Sequence, residues 1–331
     1  MKINLTLDYE LFMNELTGNV ENCLIRPTDE FLNLTRKYGI KVMFFVDASY
    51  LYRLNELKNS YPRLGKDLES IKKQIHDIEH DGHAIGLHLH PQWYFSTFDG
   101  EQWAIDFDHY KLSDMPREMA DTYFKESLRM LQSYCNQQIK TFRGGGYSVQ
   151  GYKSFPEILC RNGIVSDSSA LFGMNNLSKL HYYDYTALES PEPYMFSTDI
   201  LQPDTAKSTQ SIREYPIMTA KIPFLIYCFN KFRMRYIKNN RNWGDGGVKS
   251  QKRRRMFLHN LRRKADVTVR VPATIDYQSF VYLSYIVRKS MKQYSEMTII
   301  GHPKNFSPAS LAALERIMRR HRESFKLLNE Q

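Results

Sequence analysis

"HAIGLHLHPQW", residues 83–93, sets three histidines within eight positions of a chain that has ten among 331 residues. The stretch is otherwise apolar, follows the turn-forming Gly82, and reads as a strand from Ala84 to His90. Side chains alternate along a strand, so His88 and His90 point the same way. Neighbouring imidazoles repel when protonated and need partners when neutral, and a metal ion is the commonest resolution. A satisfied structural pair at a strand end accounts for the pattern equally well. His83 falls on the opposite face from His88 and reads as structural.

Working outward, residues 2–8 alternate as a strand that runs into Asp8. Pro27 opens a helix in which Phe31, Leu34 and Tyr38 share one face and Gly39 is the stop. "IKVMFFVD" (40–47) is a continuous apolar strand, the pattern of burial on both faces. Helices are expected over 65–81, 116–136 and 152–162, each followed by a strand, the last two at "QIKTFRGGGYS" and "GIVSDSS". "MTIIGHP" (297–303) gives a final strand, and a helix from Pro308 to Leu328 closes the chain. Strand–helix–strand repetition predicts an α/β protein of right-handed parallel units, enough of them to close into a barrel. Residues 1–331 read as one catalytic domain, with 201–295 a basic insertion before the last strand.

A hydrophobic content of 42% supports a large core, and no apolar run of membrane-spanning length occurs. "MKINLTLDYE" lacks the apolar region of a signal peptide, and the four cysteines form no CxxC pair, so a cytoplasmic location is expected. The net charge of +10 is concentrated in "KFRMRYIKNNRN" and "KSQKRRRMFLHNLRRK", within 231–264. Such a cluster suits nucleic acid, anionic lipid headgroups or a phosphorylated sugar; a solvated helical face explains it as well.

In a parallel barrel, chemistry sits at the C-terminal strand ends. Those ends supply Asp8 and Glu10 on one face, His88 and His90, Arg143, Asp167, and His302. Together they read as a metallohydrolase site. "LTLDYE", "GHAIGLHLHPQW", "FRGGGYS", "IVSDSS" and "IIGHP", in this order, resemble the five motifs of the polysaccharide deacetylase family, and "VMFFVDASYL" is similar to its second strand. The resemblance covers 1–175 and 295–310.

The resemblance implies a distorted, TIM-like (β/α) barrel of about seven strands. It also implies one divalent metal ion, zinc, held by a carboxylate and two histidines. By resemblance Asp8 is the catalytic base and Glu10 the metal carboxylate, while His88 is the first metal histidine. Arg143 then orients the base, and Asp167 tunes His302, the general acid. Two departures stand out. Tyr9 separates Asp8 from Glu10 where the family has adjacent aspartates, and Gln92 occupies the second histidine's usual position. His90 is therefore the candidate second ligand. Tyr147, Trp93 and Gly145 are the expected substrate contacts.

The expected activity is hydrolytic removal of an acyl group, N-acetyl above all, from a sugar or polysaccharide precursor. The expected partner is an N-acylated sugar or lipid-linked glycan precursor, with peripheral contact to the inner membrane face through 231–264. The rival readings are an amidohydrolase for a non-sugar C–N bond and a non-catalytic carbohydrate- or nucleic-acid-binding protein.

Overall fold

Strand β1 (Lys2–Tyr9) shows why the site lies where it does. Its odd positions, Ile3, Leu5, Leu7 and Tyr9, join the main apolar core. Its even positions Asn4, Thr6 and Asp8 are buried and polar, and Glu10 continues that face. A strand with apolar side chains on one face and polar ones on the other separates a helix-packed layer from a polar interior. The structure, a computed structural model, describes residues 1–152, 154–205, 210–237, 240–247 and 268–329.

Parallel to β1 run β2 (Met43–Asp47), β3 (Ala84–Leu89), β4 (Thr141–Gly144) and β5 (Ser166–Asp167), each pairing with the next. The helices α1 (Arg26–Tyr38), α2 (Ala48–Leu57), α3 (Pro62–His80), α4 (Arg117–Gln132) and α5 (Phe155–Arg161) lie between them in sequence. Gly39 ends α1 in the left-handed conformation, φ 63°, which a glycine adopts without steric cost. Beyond β5 come β6 (Tyr194–Phe196) and β7 (Ile212–Glu214); β7 pairs parallel with β5, and β6 is antiparallel to β7. The antiparallel pair β8 (Thr219–Pro223) and β9 (Thr268–Pro272) forms a separate two-stranded sheet, flanked by α6 (Phe224–Tyr236) and α7 (Phe280–Met291).

The last long strand, β10 (Glu296–Gly301), pairs with the far side of β1, from Lys2 opposite Glu296 to Leu7 opposite Gly301. The sheet is nine-stranded. It curls, because Ile217 bridges both Leu171, beyond β5, and Thr298 on β10. Met218 N–H donates to the Thr298 carbonyl at 3.0 Å and Ile217 N–H to Ala170 at 2.7 Å. This is the mixed α/β barrel-like architecture expected from the alternation of elements.

Two expectations need adjustment. The section 201–295 is woven into the wall rather than inserted beside it: β7, Ile217 and the Thr274–Ile300 bridge all belong to the curl. The closing helix α8 (Pro308–His321) stops short of Leu328. A 3-10 turn follows, and β11 (Phe325–Lys326) pairs with Ile3 and Asn4, burying Phe325 and Leu328. A continued helix would forgo that pairing. The 249–264 basic run lies outside the described residues. Among the described residues no helix is long and apolar enough to cross a membrane.

Candidate active site

The polar even face of β1 meets the C-terminal end of β3 inside the curl. Glu10 Oε2 lies 2.9 Å from His88 Nε2 and 2.5 Å from His90 Nε2. Tyr9, between the two carboxylates, turns outward and donates its hydroxyl to Gln74 Oε1 at 2.7 Å, as alternation requires. His88 Nδ1 donates to the Arg143 carbonyl at 2.7 Å; a carbonyl only accepts, so the proton assignment is fixed at that nitrogen. His90 is held by its backbone, whose N–H donates to Ser49 Oγ at 2.8 Å. Its ring lies against Gly145: a Cβ there would come within 2.6 Å of His90 Nδ1 and of the Leu89 carbonyl.

Asp8 takes the adjacent position. Its Oδ1 accepts from Arg143 Nη1 at 2.5 Å. The rest of that fully buried guanidinium bonds to Thr6 Oγ1, Ser168 Oγ and the Ser168 carbonyl, above the Phe45 ring. Each of the three guanidinium nitrogens thus donates to a fixed partner, and Arg143 is a rigid support for Asp8. Asp8 Oδ2 faces the interior, 4.0 Å from His88 Nε2 and 3.6 Å from His302 Nε2.

His302, after β10, presents Nε2 to Asp8 Oδ2 and stands 3.8 Å from Glu10 Oε1. Its Nδ1 is bound to Asp276 Oδ2 at 2.5 Å, and its backbone N–H donates to Asp276 Oδ1 at 2.9 Å. Sequence reading assigned this orienting role to Asp167, and here the structure differs. Asp167 Oδ1 accepts from Ser169 Oγ at 2.6 Å. Burial pushes the Asp167 carboxyl up to about 6 against the hydrogen bond from the neighbouring Glu214, while burial and Asp167 together push Glu214 well up. The cause is geometric. β5 is two residues long, and the Asp167 side chain bonds to Glu214 of β7 rather than reaching across to His302.

A second residue missed by sequence reading is Lys304. Its buried Nζ donates to Glu10 Oε1 and to the Leu11 carbonyl, both at 2.7 Å. Lys304 lies in the 3-10 turn Pro303–Asn305 after the strand, where no alternation marks it. Trp93, expected at the substrate, is fully buried and donates Nε1–H to Asp47 Oδ2 at 2.9 Å, so it supports the floor instead. Tyr147 has φ 63° and lies partly buried at the site's edge, near enough to Asp8 for that charge to help burial raise its phenol. His83 is structural: it accepts from Val42 N–H at 3.1 Å, and burial pulls it down to about 4.

The electrostatics follow from these contacts. Burial alone would push the Glu10 carboxyl up, but Lys304, His90 and His88 outweigh it and hold it well below the usual range. Burial would pull His88 down, yet Asp8, Glu10 and Asp47 raise it to about 9. His302 is raised in the same way, with Asp276 its strongest favourable neighbour.

Two imidazole nitrogens thus converge on one carboxylate oxygen, and their ligand atoms lie within 4.8 Å of one another. With His88 Nδ1 committed as donor, its neutral ring turns a lone pair toward Glu10 Oε2. That arrangement requires a proton or a cation between them. The His, His and carboxylate donor chemistry fits a divalent cation.

Residues 21–152 match the family described as Polysaccharide deacetylase. No curated protein matches the chain in sequence. Among solved structures, the chain is similar to the probable polysaccharide deacetylase from Pseudomonas aeruginosa PAO1, at 12% identity and TM-score 0.49, over 100% of this chain and 87% of that one. The PuuE allantoinase is similar at 11% identity and TM-score 0.49, with the same coverage. The family 4 carbohydrate esterase from Streptomyces lividans, in complex with acetate, is similar at 11% and TM-score 0.40, over 98% and 90%. The matched segment holds His88, His90 and Arg143, and strands outside it bring Asp8, Glu10 and His302 to them. The chain thus carries, over residues 21–152, a segment that matches the polysaccharide deacetylase family.

Proposed function

We propose that the protein removes the N-acetyl group from a sugar or polysaccharide precursor, with Glu10, His88 and His90 holding one divalent ion, zinc by preference. The observation that carries this reading is the convergence of those three ligand atoms beside an independent pair, Asp8 and His302. An ion held there supplies Lewis-acid polarisation of the acyl group and acidification of water.

The chain's own residues do the proton work. Arg143 occupies Asp8 Oδ1, which leaves Oδ2 to accept a proton from the attacking water as its oxygen bonds to the acyl carbon. As the C–N bond breaks, the electron pair goes to nitrogen, and His302 Nε2–H delivers the proton that makes it an amine. An amide needs this step because its anion is a very poor leaving group. Asp276 keeps His302 protonated and aimed. An N-acylated saccharide, free or lipid-linked, is the substrate class; the protein acts in the cytoplasm.

Acetate release should be measured on N-acetylated oligosaccharides, nucleotide sugars and lipid-linked sugars, with and without added zinc. Turnover of at least one should depend on the metal. His88→Ala should lose metal content and activity together. Full metal occupancy in that variant overturns the ligand assignment, and metal-bound protein that releases no acetate from any of them overturns the activity.

A further inference from the structure

Helix α6 (Phe224–Tyr236) has the sequence FLIYCFNKFRMRY, without an acidic residue. Leu225, Phe229, Phe232 and Tyr236 are 81%, 54%, 64% and 68% exposed. Their spacing of four, three and four residues places them within an arc of about 60° at 100° per residue. The opposite face is the packed one, with Asn230 and Met234 buried. These four therefore form one stripe, with Phe224, 39% exposed at the first turn, off to one side, and the Phe232 and Tyr236 rings touch, centroids 4.7 Å apart. Arg233 flanks the stripe on one side and Arg235 on the other, with Lys231 next to the latter. Beside the helix, α7 and α8 frame a groove of about 590 Å³ whose rim carries Arg288, Lys292 and Arg320 and no acid.

An apolar stripe edged by cations matches one surface in particular, an anionic bilayer. Its acyl boundary takes Leu and Phe, and its headgroups take Arg and Lys. A protein groove that accepted four large apolar side chains would have no need of cations along both margins. We propose that α6 docks this protein on an anionic lipid surface, with Leu225, Phe229, Phe232 and Tyr236 inserted and Arg233, Arg235 and the groove's cations on the headgroups.

The buried face of the helix ties the dock to the active site. Asn230 Nδ2 donates to Gln278 Oε1 at 2.8 Å, and Ser279 N–H donates to Asn230 Oδ1 at 3.0 Å. Gln278 and Ser279 directly follow the segment in which Asp276 holds His302. A docked helix is thus anchored two residues from the group that orients the acid, which suits a substrate presented from a membrane.

The test is flotation of the full chain with phosphatidylcholine vesicles, with and without phosphatidylglycerol, at low and physiological salt. Binding should require phosphatidylglycerol and weaken with salt. Phe229→Ser and Phe232→Ser each leave every basic residue in place, including those of 249–264. Each should weaken partitioning about tenfold, the share expected of one buried aromatic side chain. Phe232→Trp should keep binding and show a blue-shifted emission only with anionic vesicles. Unchanged flotation of both serine variants overturns the proposal, since the charge cluster alone would then suffice. Self-association that these substitutions abolish, without any vesicle binding, also overturns it in favour of a second copy as occupant. Acetate release from a soluble substrate reports that the variants are folded.

Discussion

Asp276→Asn separates the charge beside His302 from the shape of its loop. Asparagine can still accept from His302 N–H through its carbonyl, as Asp276 Oδ1 does at 2.9 Å, so the backbone stays in place. What disappears is the carboxylate 2.5 Å from Nδ1. A charge-assisted hydrogen bond of this kind contributes about 1.5–3 kcal/mol, and about 1.4 kcal/mol corresponds to one pKa unit. His302 is held above its ordinary value chiefly by Asp276, so its pKa should fall in the variant.

The sign follows from the role. The acid must be protonated, so activity is lost as pH rises through its pKa, and a lower pKa moves that alkaline limb to lower pH. For amide substrates kcat/KM near neutrality should drop by about 10–100-fold. Activated esters, whose leaving groups need no proton, should lose less, and metal content should not change. The assay is a kcat/KM profile against pH for both substrate types, with Asp167→Asn alongside. An alkaline limb that stays in place in Asp276→Asn, or moves only in Asp167→Asn, refutes the assignment.

Gly145→Ala puts a methyl group 2.6 Å from His90 Nδ1 and the Leu89 carbonyl. It should cost about 1–3 kcal/mol of stability and reduce metal retention, read by thermal unfolding and metal content. Burial keeps His83 neutral down to about 4 in the folded chain, whereas the unfolded chain takes up the proton near its ordinary value. The unfolded state therefore binds more protons as pH falls from about 6.5 toward 4, and roughly 2 kcal/mol of stability should be gone by pH 5. In His83→Asn, whose side-chain carbonyl can still accept from Val42 N–H, denaturant unfolding should lose this part of the acid sensitivity.

Where the chain alternates strictly, the sequence was a reliable guide to the site. Asp8 with Glu10, and His88 with His90, share faces because a strand has a period of two, and the adjacency of first and last strands brings His302 to them. Where the chain leaves regular structure the guide fails. Asp276 sits in a segment that meets the barrel at the isolated Thr274–Ile300 bridge, outside any regular strand, with no periodicity to mark it. Asp167 was chosen because it ends a strand, but a two-residue strand does not fix which way its last side chain faces. Trp93 follows His90 by three residues in sequence. One turn of helix, Gln92–Phe95, rotates it into the core instead. Lys304 is a buried cation whose partner is 294 positions away, a pairing that only the closed sheet creates.

The pairing of β1 with β10 also sets when the protein becomes competent. Thr6 Oγ1 and the Ile299 carbonyl, bonded at 2.9 Å, are 293 positions apart. Closing a loop of that length costs roughly 5 kcal/mol of chain entropy, to be recovered from contacts that exist only afterwards. During synthesis His88, His90 and Arg143 emerge long before His302 and Lys304, so an unfinished chain holds a half-built site. It can neither anchor Glu10 against Lys304 nor protonate a leaving amine. The proposed hydrolysis therefore needs both β1 and the segment after β10 in place.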